Sequence, residues 1–239
     1  MKSNHSSKYW ILRIGAVSAI VGSLLGMVGN LIHPSTTGLS AEGVAQVIAD
    51  SSLWLPMHMT IVSGLILMLL GLTAICRSIN GGLAGAFSMF ARSAAIAGIT
   101  VGVLLVTLDG IAAKHLADAW AVAPDGEKII ALRILSAEET FNFAIAALFN
   151  ILFAGVAYTL LGLAIVFSKV YKPWLGGIVI AAGVGSIVAG GIQAVTGEST
   201  GVTRTLTIIF PTIITLWTAY MGVLLYKYSN SLGCEGTKE

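Results

Sequence analysis

Three histidines and one carboxylate hold most of the chemistry available to this chain. His33, His58 and His115 lie near the ends of long apolar runs, and Asp109 lies inside one, between Ile99 and Ala113. At about 1.5 Å per helical residue, His58 stands roughly 28 Å from Arg77 and His115 roughly 34 Å from Arg92. Both arginines mark the other end of their runs, so the imidazoles share a depth. Asp109 sits about 9 Å deeper than His115 by the same rise. An ionised carboxylate in hydrocarbon costs roughly 2.5 to 3.5 kcal/mol to insert, so it must be protonated, paired or turned toward a wet cavity. Asn30, His58, Asn150 and Gln193 lie at matching depth. These four and Asp109 predict a polar pocket for a small solute, ion or metal. His33, His58, His115 and Glu139 are the candidate metal ligands, because imidazole with carboxylate suits zinc or another transition metal. Two histidines on different helices could instead hold a haem. No H-E-x-x-H, H-x-x-x-H or C-x-x-C-H spacing is present. Histidines at span ends also serve as half-polar boundary residues, and a buried Asp can simply fix helix register.

The elements that must position these groups follow from composition. The chain has 239 residues, 56% hydrophobic and only 10% charged, against about 25% charged in soluble proteins. A hydrocarbon core of about 30 Å takes roughly 20 helical residues. Six runs meet that length, at about residues 11–32, 55–76, 94–113, 141–167, 174–195 and 206–226. They are continuous rather than alternating, which excludes a membrane β-barrel. The expectation is an all-α polytopic membrane protein, a single domain over residues 1–239 with six transmembrane helices in one bundle. No A-x-A site follows the first run, which therefore reads as a retained span. Cys76 and Cys234 support no disulfide framework.

Charge orients the bundle. All the acidic residues except Glu235 and Glu239 fall on or near one side, Glu198 among them. Most of the 13 Lys and Arg fall on the other, including Lys2, Lys8, Arg13, Arg77, Arg92, Lys169, Lys172, Lys227 and Lys238. Basic loops stay on the cytoplasmic side, so both termini are expected in the cytoplasm, with the histidines on the outer side and His5 in the cytoplasmic tail. The net charge of +2 gives no reason to expect nucleic acid.

Beyond the spans, Ser40 is the expected cap of a short outer helix carrying Val44, Val47 and Ile48 at helical spacing. Pro124-Asp125-Gly126 marks a turn, with residues 129–135 an amphipathic lead into the fourth span. Val21-Gly22-Ser23, Val101-Gly102-Val103 and Val184-Gly185-Ser186 recur on alternate spans. They are compatible with three related hairpins and equally with close helix packing at glycine. Thr205, Thr212, Thr215 and Thr218 line one face of the last span beside Pro211, where hydroxyls usually bond back to the helix.

Gly29-Asn30-Leu31-Ile32-His33-Pro34, then Asp50-Ser51-Ser52-Leu53-Trp54-Leu55-Pro56-Met57-His58, resembles small bacterial multi-pass membrane proteins over roughly the first two spans. The resemblance implies a bacterial-type inner or plasma membrane protein and brings no active-site residues with it. Three functions remain open from the residues alone. One is a binding protein with an outward-facing polar pocket. The second is an intramembrane metal-dependent hydrolase or haem redox protein. The third is a structural subunit docking a membrane-protein partner or a second copy through its glycine faces.

Overall fold

Backbone amides surrounded by lipid must bond within their own segment, so long apolar runs close into helices. The computed structural model describes residues 2–36, 38–197 and 201–235, with the backbone alone for 2–6 and 232–235. Glu198, Lys238 and Glu239 lie outside the described residues, as do the side chains of Lys2, His5, Cys234 and Glu235. Among the described residues there are nine α-helices and no strand. They are α1 (Lys2–Leu31), α2 (Ala41–Asp50), α3 (Trp54–Ser78), α4 (Gly82–Thr107), α5 (Ala113–Val122), α6 (Asp125–Phe149), α7 (Tyr158–Val166), α8 (Pro173–Thr196) and α9 (Gly201–Glu235). Widened π turns at Leu108–Ala112 and Asn150–Ala157 join α4 to α5 and α6 to α7 without ending the helix.

Local signals explain the boundaries. Ser40 Oγ accepts from the Gly43 amide at 3.2 Å and starts α2. Gly81 and Gly82 adopt φ of +81° and +53°, which turns the chain from α3 into α4 at low cost only for glycine. Asp125 and Glu127 occupy the first turn of α6, where the helix dipole favours them. Pro173 opens α8, and Gly197 closes it in the left-handed conformation. Pro211 lies within α9, and the hydroxyls of Thr205, Thr212, Thr215 and Thr218 each bond to the carbonyl four residues earlier.

Among the described residues six helices are long and apolar enough to cross a membrane, and the molecule is an integral, multi-pass membrane protein. They pack as a ring in chain order: α1 on α3, α3 on α4, α4 on α6 and α7, α7 on α8, α8 on α9, and α9 back on α1. An even number of spans brings the start of α1 and the end of α9 to one end, where Arg13 bonds Tyr226 at 2.7 Å and Asn230 at 3.1 Å. Ile14, Val17, Leu24, Val184 and Val188 are exposed on the outside of the ring, as lipid-facing residues must be.

The third and fourth spans are much longer than their apolar runs, at 41 and 42 residues. At about 1.5 Å per residue each reaches roughly 60 Å, twice a hydrocarbon core. Nothing between Ala113 and Val122 breaks the helix, and the stretch before the fourth run is continuous with it. Their ends therefore project past the ring and meet α2. A second core forms there from Ala45, Ile48, Trp54, Met57, Ala117, Trp120, Leu132 and Leu135, separate from the core of the ring. Lys114 clamps α2 onto α5, donating to the Ile48 and Ala49 carbonyls and pairing with Asp118 at 2.8 Å.

Candidate metal centre

The junction between this cap and the ring is where Asp109 lies. Its π turn lets the helix bulge, a local form that recurs at functional sites. The Trp54 indole N–H donates to the Asp109 main-chain carbonyl at 2.9 Å. Gly110 makes the close approach feasible, since a Cβ there would stand 2.5 Å from the His58 Cβ. Span three can therefore press its carboxylate directly against α3.

His58 lies one turn into α3 and is fully buried. Its Nδ1–H donates to the Trp54 carbonyl at 2.7 Å, which leaves Nε2 facing Asp109 Oδ2 at 3.0 Å. His33 follows the end of α1 in a bend. Its Nδ1 is 2.8 Å from the Pro34 carbonyl, and its Nε2 is 3.8 Å from the same Asp109 oxygen. A carbonyl only accepts, so both Nδ1 atoms must carry the proton. Both Nε2 atoms are thereby aimed at one carboxylate. The rings of His33, His58 and Trp54 pack on one another with centroids 4.9 to 5.2 Å apart. Side-chain exposure is 1% at His58 but 27% at His33 and 33% at Asp109, so the cluster opens on one side only.

Among the described residues this is the one group of His, Cys, Asp or Glu whose ligand atoms could share a metal ion, all within 4.8 Å of one another. Ligands held at about 2.0 to 2.2 Å in a tetrahedron stand roughly 3.3 Å apart, so small side-chain rotations would complete a site. Locking Nδ1–H on a carbonyl is the outer-shell device that prepares Nε2 for a metal. Two imidazoles and one carboxylate suit zinc and also ferrous iron. A haem fits poorly. The two rings touch edge to face at 5.2 Å and leave no flat slot between them.

Burial by itself would lower the His33 pKa. The contact with Asp109, the Pro34 carbonyl and the charges of Asp109 and Glu139 outweigh it, and the net shift is upward from 6.5. Glu139 is half-buried and outside the ligand group. It lines an open cleft of about 520 Å³ with Thr36, Ser136 and Thr140. Beside it Glu138 and Asn142 are buried together, the amide donating to the carboxylate at 2.7 Å. Glu138 Oε2 and Asn142 Oδ1 have no partner among the described residues.

The other residues read from depth go elsewhere. His115 is exposed on α5 and is not part of the ligand group. It lies six residues beyond Asp109, about 240° further around a helix. Asn30 is exposed and donates to the Gly26 carbonyl of its own helix. Asn150 and Gln193 pair with each other at 3.4 Å, and Gln193 reaches the Phe143 carbonyl at 3.3 Å, which ties α8 to α6. The five-residue pocket is thus divided: His58 meets Asp109, Asn150 meets Gln193, and Asn30 bonds within its own helix. Sequence reasoning missed Trp54 and Gly110. The available signals were a tryptophan four residues before a histidine and a glycine beside the buried acid. Comparison of the chain with protein-family models, curated proteins and solved structures finds no match.

Proposed function

We propose that this membrane protein binds a divalent transition-metal ion, zinc by donor preference, through His33 Nε2, His58 Nε2 and the Asp109 carboxylate. The observation that carries this is the shared aim of the two imidazoles, each fixed by a backbone carbonyl, on one oxygen. Three protein ligands with one open side leave room for water or a solute. That is the pattern of catalytic zinc rather than of closed structural zinc. The charge distribution supports placing the site on the outer face of the membrane, with both termini cytoplasmic.

A second reading is a metal-dependent hydrolase. The open side of the cluster favours it, because bound water at such a metal has a pKa near 7. Elemental analysis of purified protein, with calorimetric titration by zinc and by ferrous iron, tests the metal reading. One ion per chain is expected, with binding lost in His58→Ala and Asp109→Asn. A metal-free preparation that also ignores added zinc and iron would sink it and leave the structural-subunit role. Hydrolysis of an added ester or amide by the zinc-loaded protein separates the enzyme from a binding protein.

A further inference from the structure

The end of the ring opposite His33 carries a second feature, unrelated to the histidines. Where α3 turns into α4, a cleft of about 670 Å³ opens, lined by Arg77, Asn80, Met89, Arg92 and Ser93, with Ile96 along the same wall. Among the described residues no carboxylate lines it. Neither guanidinium has an ion pair or side-chain hydrogen bond among the described residues. A smaller adjoining cleft shares Arg77 and Asn80 and adds Ser7 and Lys8 from α1. Among the described residues, Arg77 lines both clefts, with Arg92 in one and Lys8 in the other, and no carboxylate lines either.

The depth and shape of the cleft identify what would supply that anion. Arg77 lies in the last turn of α3, and Arg92 lies about 15 Å into α4 at helical rise. That range spans the headgroup layer of a bilayer whose core the two helices cross. Met89, Arg92, Ser93 and Ile96 fall on one face of α4, spaced by three, four and seven residues. Met89 is 61% and Ile96 47% exposed. The cleft thus offers two forks for phosphate oxygens, Arg77 from α3 and Arg92 from α4, and its outer edge offers hydrocarbon contact. Guanidinium forks match phosphate in a bidentate way that ammonium groups do not. We infer that this cleft binds the phosphate of an anionic phospholipid, with Arg77 and Arg92 on the phosphodiester and the Met89–Ile96 face against an acyl chain. A charge bias that only orients the protein needs neither a cleft nor the guanidinium shape.

The full-length protein in zwitterionic micelles is the material for the test. Phosphatidylglycerol, phosphatidylcholine or inorganic phosphate is added at equal phosphate concentration. Thermal unfolding and lipid retention in native mass spectrometry are measured. The expected result is stabilisation and a retained adduct with phosphatidylglycerol alone. Its apparent affinity should fall at least about tenfold in R77Q/R92Q and partly in R77K/R92K, which keeps the charge but loses the fork. Equal stabilisation by phosphatidylcholine overturns the inference. So does equal stabilisation by inorganic phosphate, which would assign the cleft to a soluble ligand. Undiminished retention in R77Q/R92Q also overturns it. If that variant does not fold, R92Q and the three-ligand comparison on the unaltered protein decide the matter.

Discussion

Asp109→Asn isolates the charge of the metal centre from its shape. The amide has the size of the carboxylate and can still meet His58 Nε2, now 3.0 Å from Oδ2, by donating to it. Metal-free stability should therefore change by no more than about 1 kcal/mol, the worth of one exchanged hydrogen bond. Metal binding should change far more. Outer-shell changes alone cost about 10- to 100-fold in affinity, so replacing an anionic ligand should cost more than about 100-fold. At free zinc near 100 times the dissociation constant, the unaltered protein gains about 2.7 kcal/mol from binding. A hundredfold loss leaves free zinc equal to the dissociation constant and a gain of about 0.4 kcal/mol. Thermal unfolding in detergent, with and without zinc, reads this directly, and calorimetric titration gives the affinity. His115→Gln is the control, because that side chain is exposed and outside the group. Equal zinc stabilisation of Asp109→Asn and the unaltered protein would refute the ligand assignment.

Trp54→Phe removes the indole donor to the Asp109 carbonyl and keeps the main-chain carbonyl that holds His58; zinc affinity by titration should fall about 10- to 100-fold. The metal-free protein should also lose stability as pH rises. The folded-state His33 pKa lies above 6.5, so the stabilisation is complete below that value and disappears as pH climbs through the raised one. Thermal unfolding with chelator above about pH 6.5 should show this decline, and His33→Gln should flatten it. Zinc affinity should run the opposite way, rising with pH as protons cease to compete for Nε2. The glycines should rank by what a Cβ meets. At Gly22 and Gly64 it would stand 2.6 Å and 2.7 Å from backbone nitrogens of Met68 and Gly26, so alanine should cost about 1 to 3 kcal/mol in unfolding measurements. Gly185 meets only the Phe210 ring, which can swing, and Gly177 meets nothing within 4 Å. Alanine should cost less at the former and nothing at the latter.

The number of spans was legible from run length because lipid imposes its thickness on any chain that crosses it. The cost of an inserted carboxylate likewise singled out Asp109 before any fold was known. Depth marked His33 and His58 as well, yet it marked His115, Asn30, Asn150 and Gln193 equally. Position along a helix axis is a property of sequence, since rise per residue is constant. Direction around that axis is shared with the neighbours. It was decided here by the π turn at Leu108–Ala112, by the approach that Gly110 permits and by Trp54 bonding to both partners. The cap was hidden for a related reason. Hydropathy ends where lipid ends, but the backbone ladder of α5 and the first half of α6 continues until Pro124 interrupts it between them. The chain alone determined how deep each chemical group lies. Packing decided which of them face each other, because helix rotation is set by contacts that come from distant parts of the chain.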